Sequence, residues 1–237
     1  MAKKTEEVPV KPAAKSGGCL SVLSRVFVFT GVAALAVALV FVFIPQDLSN
    51  VDGYGPGSAS PPFRDLKAVL SSSIERGYEV TFTEAEVNRY LAHTLATKQG
   101  GLLAKDVSLD GVWISLENDY AEIIMERRIF GHPFTISTYV QVIQTVDQKG
   151  GTETKMARHG LPYIEDIPPN RGGRFGRLVV PEGFLVLVMP SFEKVAALFH
   201  EEIDLGFTKM VRIKIKENSI TFNPQEPTES LNPGGTF

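Results

Sequence analysis

Apolar and polar positions change their pattern several times along this chain, and each change predicts an element. From Val26 to Ile44 every residue is apolar except Thr30 and Gly31, and none is charged. At about 1.5 Å per residue a helix of that length covers roughly 28 Å, close to the hydrocarbon core of a bilayer. Arg25 closes the run on one side and Pro45-Gln46-Asp47 on the other. Residues 45–62, rich in Gly, Pro and Ser, predict a flexible spacer.

Helical spacing returns at Leu66, Val69 and Leu70, with Gly77 as a stop. Tyr78–Phe82 reads as a short strand. Thr83-Glu84-Ala85-Glu86 is a capping box, and the helix it opens, 84–98, carries Val87, Tyr90, Leu91, Thr94 and Leu95 on one stripe. The period then drops to two. Residues 102–116, 120–130 and 134–146 alternate as strands, with turns at Glu117-Asn118-Asp119, Gly131-His132-Pro133 and Lys149-Gly150-Gly151. In the last of them Phe134, Ile136, Val140, Val142 and Val146 oppose Thr135, Ser137, Gln141 and Thr145. A weaker strand follows at 152–159.

Residues 160–176 form a Pro/Gly/Arg loop, a length that marks either function or disorder. A short strand at 177–180 precedes the apolar run Phe184–Met189. Pro190-Ser191 opens a helix with Phe192, Val195, Ala196, Phe199 and Ile203 on one side. A hairpin at 210–216 and 219–222 closes the fold, with Val211, Ile213 and Ile215 facing inward. The fold class is therefore α+β: an N-terminal transmembrane helix followed by a curved antiparallel sheet packed against helices. Five regions are expected: a cytoplasmic tail (1–25), the transmembrane helix (26–44), a linker (45–62), an extracytoplasmic domain (63–222) and a disordered tail (223–237).

Charge sets the orientation. Lys3, Lys4, Lys11, Lys15 and Arg25 precede the apolar run against Glu6 and Glu7, a net of about +3. Basic flanks stay in the cytoplasm, so the N-terminus is placed inside and the C-terminal domain outside a cell membrane. The chain carries −3 overall, which leaves about −6 beyond the run. That balance argues against nucleic acid as a partner. A cleaved signal peptide would share the basic start, but Ala34-Leu35-Ala36 lies within the apolar run and Ser58-Ala59-Ser60 well after it. Cys19 is the only cysteine, so no intrachain disulfide can form.

Candidate chemistry is sparse. His93, His132, His159 and His200 show no metal-binding spacing, and His200-Glu201-Glu202 lacks the second histidine of a zincin. Ser191 sits in Met-Pro-Ser-Phe, without the glycines of a nucleophile elbow, and reads as a helix N-cap. Glu201, Glu202 and Asp204 read as a solvated helix end. Arg171, Arg174 and Arg177 on the Gly-rich loop could grip a phosphate such as a lipid head group, or simply be solvated. No catalytic residue, metal or cofactor is expected.

The anchor, Phe82-Thr83-Glu84-Ala85-Glu86-Val87-Asn88 leading a helix, the long alternating strands, Gly176-Arg177-Leu178-Val179-Val180-Pro181 and the final hairpin together resemble a YpmS-like group of single-pass bacterial envelope proteins. The resemblance covers about residues 78–222, and the loop at 160–176 departs from it. It implies helices filling a curved sheet, comparable to folds that hold apolar or lipid ligands, and carries over no catalytic residue. Three functional classes follow. The first is an anchored binding module for a lipid or other apolar ligand, lined by Phe184, Leu185, Leu187, Phe192 and Phe199 with the three arginines. The second is an envelope assembly protein acting through protein contacts. The third is an enzyme, which no residue cluster supports.

Overall fold

The computed structural model describes residues 19–55, 62–98, 109–129, 131–146, 152–158 and 172–225. The N-terminal tail before Cys19, the middle of the expected linker, Arg171 with most of the Pro/Gly/Arg loop, and the C-terminal tail beyond Gln225 lie outside the described residues.

The chain divides into two compact units, Met1–Val40 and Phe41–Phe237. Helix α1, Cys19–Phe43, supplies the first, and its last turn belongs to the second. Within it Val22–Phe43 is long and apolar enough to cross a membrane. Its side chains are exposed, Phe27 and Phe29 among them, as an apolar helix facing lipid would be.

The second unit begins with α2, Leu66–Arg76. Asp65 caps it by accepting the Ala68 N–H at 3.1 Å. Gly77 ends it in the left-handed region at φ 67°, its N–H donating to the Ser73 carbonyl. Strand β1, Val80–Thr83, runs straight into α3, Glu84–Lys98. The predicted capping box is in place. Thr83 N–H donates to Glu86 at 2.8 Å, and Glu86 N–H donates to Thr83 Oγ1 at 3.2 Å.

The large sheet contains β2 (Leu109–Glu117), β3 (Tyr120–Ile129), β4 (His132–Val146), β5 (Thr152–Arg158), β6 (Gly173–Phe175) and β7 (Leu178–Val180). Its order is β2-β3-β4-β6-β7, with β5 also paired to β4, and all pairs are antiparallel. Asp119 takes φ 70° in the β2–β3 turn. The register sets Val112 beside Met125 and Met125 beside Ile136, so one face is continuously apolar. The helices bury Leu70, Leu91, Phe192 and Phe199 against that face.

A second sheet, ordered β1-β9-β8, joins the strand before α3 to a closing hairpin of β8 (Arg212–Lys216) and β9 (Ser219–Asn223). Ile213 and Ile215 are buried while Arg212, Lys214 and Lys216 are exposed. The pairing of β1 with β9 spans most of the domain's length. No local pattern announces such a contact.

Three elements differ from the sequence reading. The segment expected as loop up to residue 176 contains β6, where Gly173 lies so close to the Ser137 carbonyl that a side chain could not fit. The apolar run at 184–189 opens as a 3₁₀ helix, Glu182–Leu187, before α4 (Met189–Leu198) and α5 (His200–Ile203). Ser191 lies inside α4 rather than at its cap. Val188 holds the cap position, and Pro190 occupies the first turn, where its missing N–H costs nothing.

The expected spacer also differs in its described part. Leu48 and Val51 are each 4% exposed and pack on Ile124, on the sheet face away from α2–α5. Residues 46–54 form a strap across that face. Two buried aliphatic side chains contribute about 1.5–3 kcal/mol each, enough to outweigh the Gly and Ser content that suggested flexibility.

Candidate functional site

The strap meets a polar cluster that period-two strands build without help. Glu122, Ser137 and Tyr139 occupy alternate positions of β3 and β4, so they share the face opposite the main core. All three are buried, Ser137 and Tyr139 completely. Arg174 of β6 pairs with Ser137 in register and reaches the same place. Its Nε lies 3.2 Å from Glu122 Oε1, and its Nη2 donates to Tyr139 Oη at 2.8 Å. Ser137 Oγ–H also donates to Glu122, and Gln46 Nε2 of the strap donates to it at 3.2 Å.

A carboxylate this deep needs such partners, because burying an unpaired charge costs several kcal/mol. Burial pushes the Tyr139 hydroxyl up to about 12. The Glu122 charge adds to the rise, and Arg174 opposes it. The phenol is therefore a neutral hydrogen-bonding group over the physiological range. These bonds fix the strap to the sheet, although the buried Gln46 Oε1 itself has no hydrogen-bond partner.

The C-terminal end of α1 is held beside it. Arg177 N–H donates to the Phe41 carbonyl at 3.0 Å, and Gln46 N–H donates to Thr135 Oγ1 at 2.8 Å. The last carbonyls of a helix have no partner within it, and the β6–β7 turn supplies one. Arg177 itself is exposed, with its Nε 3.4 Å from the Pro45 carbonyl.

The residues predicted to line one ligand site separate into three groups. Arg174 is engaged in the cluster, Arg177 caps the end of α1, and Arg171 lies outside the described residues. Leu185, Phe192 and Phe199 are buried at 0%, 7% and 5% exposure, as core. Phe184 and Leu187 point outward at 62% and 89%, joined by Val186 at 63%. A 3₁₀ turn of about three residues places Leu185 inward and its neighbours outward. The outcome is a small apolar patch on the surface.

Of the remaining candidates, His159 lies outside the described residues, and His93, His200, Glu201 and Glu202 have partners within the second unit. His93 packs on Phe63 at 4.6 Å between ring centroids, and His200 contacts the Ala197 carbonyl. Glu201 pairs with Lys67, and Glu202 accepts the Tyr90 hydroxyl at 2.7 Å. Among the described residues no group of three His, Cys, Asp or Glu could hold a metal ion.

Sequence reasoning missed Glu122, Tyr139 and Gln46. The available signal was a carboxylate inside the apolar stretch Ala121-Glu122-Ile123-Ile124, on a strand whose two faces both turn out to be covered. Comparison with protein-family models, curated proteins and solved structures finds no match to this chain.

Proposed function

We propose that this is a single-pass, membrane-anchored binding module, non-catalytic, whose domain lies outside the cell membrane and works at its surface. The ligand is lipid or another apolar surface, contacted by the 3₁₀ helix at Phe184, Val186 and Leu187. One observation carries the reading: these three side chains are exposed on the segment that directly follows the hairpin capping the end of α1. The strand between Arg177 and Pro181 extends at most about 13 Å at 3.3 Å per residue. The three further residues to Phe184 add at most about 10 Å, so the patch begins within about 23 Å of Arg177, which supports its lying on the side of the domain where the apolar run ends. Three adjacent outward apolar side chains are costly in water and mark a contact surface. The resemblance to the YpmS-like group, through folds comparable to lipid holders, supports the same class. Contact at the surface replaces the enclosed pocket expected from sequence, because Leu185, Phe192 and Phe199 are used in the core.

The test uses full-length protein in lipid nanodiscs. Cys19→Ser removes the only thiol, and Leu187→Cys then carries an environment-sensitive fluorophore. A label at Lys214→Cys, on an exposed β8 position, is the control. Emission at 187 should shift to the blue and be quenched by spin-labelled lipid, while 214 stays aqueous. Equal exposure of the two labels to water defeats the lipid reading. A label at 187 that is shielded in native membranes but not in pure-lipid discs favours the second class, an envelope assembly protein. A membrane-impermeant maleimide given to intact cells should reach Lys214→Cys; labelling only after lysis would invert the topology.

A further inference from the structure

Arg127 is a half-buried cation without an anion. Strand alternation puts it on the apolar face of the large sheet with Met125, opposite Phe134 of β4. Its Nε is buried and has no hydrogen-bond partner. Its Nη2 donates to the Met125 sulfur at 3.9 Å, a weak acceptor. Burial lowers its pKa from the ordinary value, and no neighbouring carboxylate opposes this. Three other arginines of the domain do have carboxylates: Arg64 has Glu86, Arg128 has Asp110 and Arg174 has Glu122, each at 3.2 Å.

The register accounts for the difference. Val112 pairs with Met125 and Gly111 with Glu126, so regular pairing would set Asp110 opposite Arg127. The register shifts at this point, and Leu109 stands opposite Arg127 instead. Asp110 turns to Arg128. Arg127 thus gains a buried apolar neighbour where a carboxylate would have neutralised it. An unpaired guanidinium in such surroundings is unfavourable, and packing alone would favour an apolar side chain.

We propose that Arg127 binds the phosphate of an anionic membrane lipid. A guanidinium grips phosphate through two parallel N–H···O bonds, and this one has its donors unspent. Its surroundings point to a lipid as the carrier of that phosphate. The ring of Phe134, its cross-strand neighbour, lies 6.4 Å from the ring of Phe43. Phe43 belongs to the second unit and is the last residue of the candidate membrane span. One ring contact and one strand spacing of about 4.8 Å therefore separate Arg127 from the end of the apolar helix. The polar zone of each leaflet is about 5–8 Å deep, a similar distance. Phe43 is exposed and Phe134 half-buried, so both leave apolar surface for the upper part of an acyl chain. A polyanion such as nucleic acid would instead meet a net acidic domain. The proposal rests on the reading that α1 crosses a membrane and that the domain works at its surface. It uses none of Phe184, Val186 or Leu187.

Full-length protein is placed in nanodiscs of equal parts phosphatidylcholine and phosphatidylglycerol, and native mass spectrometry counts the lipids that stay bound on release. Phosphatidylglycerol should be retained about tenfold over phosphatidylcholine, equivalent to about 1.4 kcal/mol. Arg127→Met should bring the ratio within about twofold, and Arg127→Lys, which keeps the charge but not the fork, should leave about threefold. In discs of phosphatidylcholine alone, Arg127→Met should melt at or above the wild-type temperature, because an unpaired charge has gone. A lower melting temperature would make the arginine structural and overturn the proposal. So would an absent preference in the wild type, or a preference unchanged in Arg127→Met. Loss of the preference in excess inorganic phosphate would show a site for a free anion and overturn the lipid assignment. A preference that depends on Arg127 while the label at 187 is aqueous removes the apolar-patch reading alone. An unchanged preference with 187 shielded by lipid removes this proposal alone.

Discussion

Asn88 closes on the main chain of Ile114 with both ends of its amide. Ile114 N–H donates to Asn88 Oδ1 at 2.7 Å, and Asn88 Nδ2 donates to the Ile114 carbonyl at 2.8 Å. One turn earlier, Glu84 accepts the Leu116 N–H. Four residues of helix rise about 6 Å and two residues of strand about 6.6 Å, so the spacings match. Helix α3 thereby covers the free edge of β2, which would otherwise present unpaired backbone groups. The same two side chains hold the strap. Asp52 N–H donates to Glu84 at 2.7 Å, and Asn88 Nδ2 donates to the Asp52 carbonyl at 2.8 Å.

Asn88→Ala should therefore cost far more than a surface truncation. It leaves the Ile114 N–H and C=O and the Asp52 C=O without their partner, each worth about 1–3 kcal/mol when buried, with part recovered by water. A loss of about 3 kcal/mol is expected from denaturant midpoints at constant slope. Asn88→Asp should recover little, since it cannot donate to either carbonyl. A loss under about 0.5 kcal/mol would mean that the edge is not sealed this way.

Glu84 makes stability depend on pH. Burial raises its pKa above the ordinary value of 4.5; the Leu116 and Asp52 N–H donors oppose that rise, and the charges of Asp52 and Glu117 add to it. A carboxyl whose folded pKa is raised favours the folded state while protonated. Its contribution is complete below the unfolded pKa and is lost as pH climbs through the folded one. Glu84→Gln removes this titration but can accept only through one oxygen, leaving a buried donor unpaired. The wild-type advantage over Glu84→Gln should thus be largest near pH 4 and shrink toward pH 7. An advantage that grows with pH would show that hydrogen bonding, not burial, governs this carboxyl.

Much of this machinery could be read locally. The capping box of Thr83 and Glu86, the 84–98 helix and the inward register of Phe134, Ile136 and Val140 follow from short-range rules. Glu84 was legible as a first-turn helix residue and Asn88 as a position on the same helix. Their hold on Leu116 and Asp52 was not, because it depends on which strand edge the helix meets. Leu48 and Val51 were hidden by the Gly and Pro residues around them. For the three arginines, sequence proximity suggested one grip, but strand alternation sends Arg174 to the covered face and the turn sends Arg177 to the end of α1.

That separation predicts different phenotypes for two neighbouring arginines. Arg174→Ala leaves Glu122, whose side chain is 3% exposed, as an unpaired buried charge, a loss of about 3–5 kcal/mol. Arg174→Lys should rescue little, since one ammonium cannot reproduce the two guanidinium contacts to Glu122 and Tyr139. Arg177→Ala keeps its backbone N–H and should change stability by under about 1 kcal/mol. Its effect on co-sedimentation with anionic liposomes then reports head-group contact without a folding artefact. Equal destabilisation by the two alanines would show that the Glu122 cluster is not the stabilising centre.

Gly176 tests whether the turn truly holds the end of α1. It sits at φ 54°, where a residue with a side chain loses about 1 kcal/mol or more. An added Cβ would also press on the carbonyl oxygens of Phe41, Val42 and Ile44. Its own N–H donates to the Thr135 carbonyl at 2.8 Å, so the turn cannot withdraw without breaking β6 from β4. Gly176→Ala should therefore eject the helix end rather than distort the sheet. In nanodiscs the Arg177 amide should exchange at least about thirtyfold faster, equivalent to roughly 2 kcal/mol of lost protection. The Met125 and Ile136 amides, deep in the sheet, should keep theirs. The Asp52 amide should also keep its protection, because Glu84 holds it independently of the turn. Loss of protection at Asp52 together with Arg177 would mean that the strap and the cap act as one latch. Unchanged exchange at Arg177 would mean that the helix end is not docked on the domain at all.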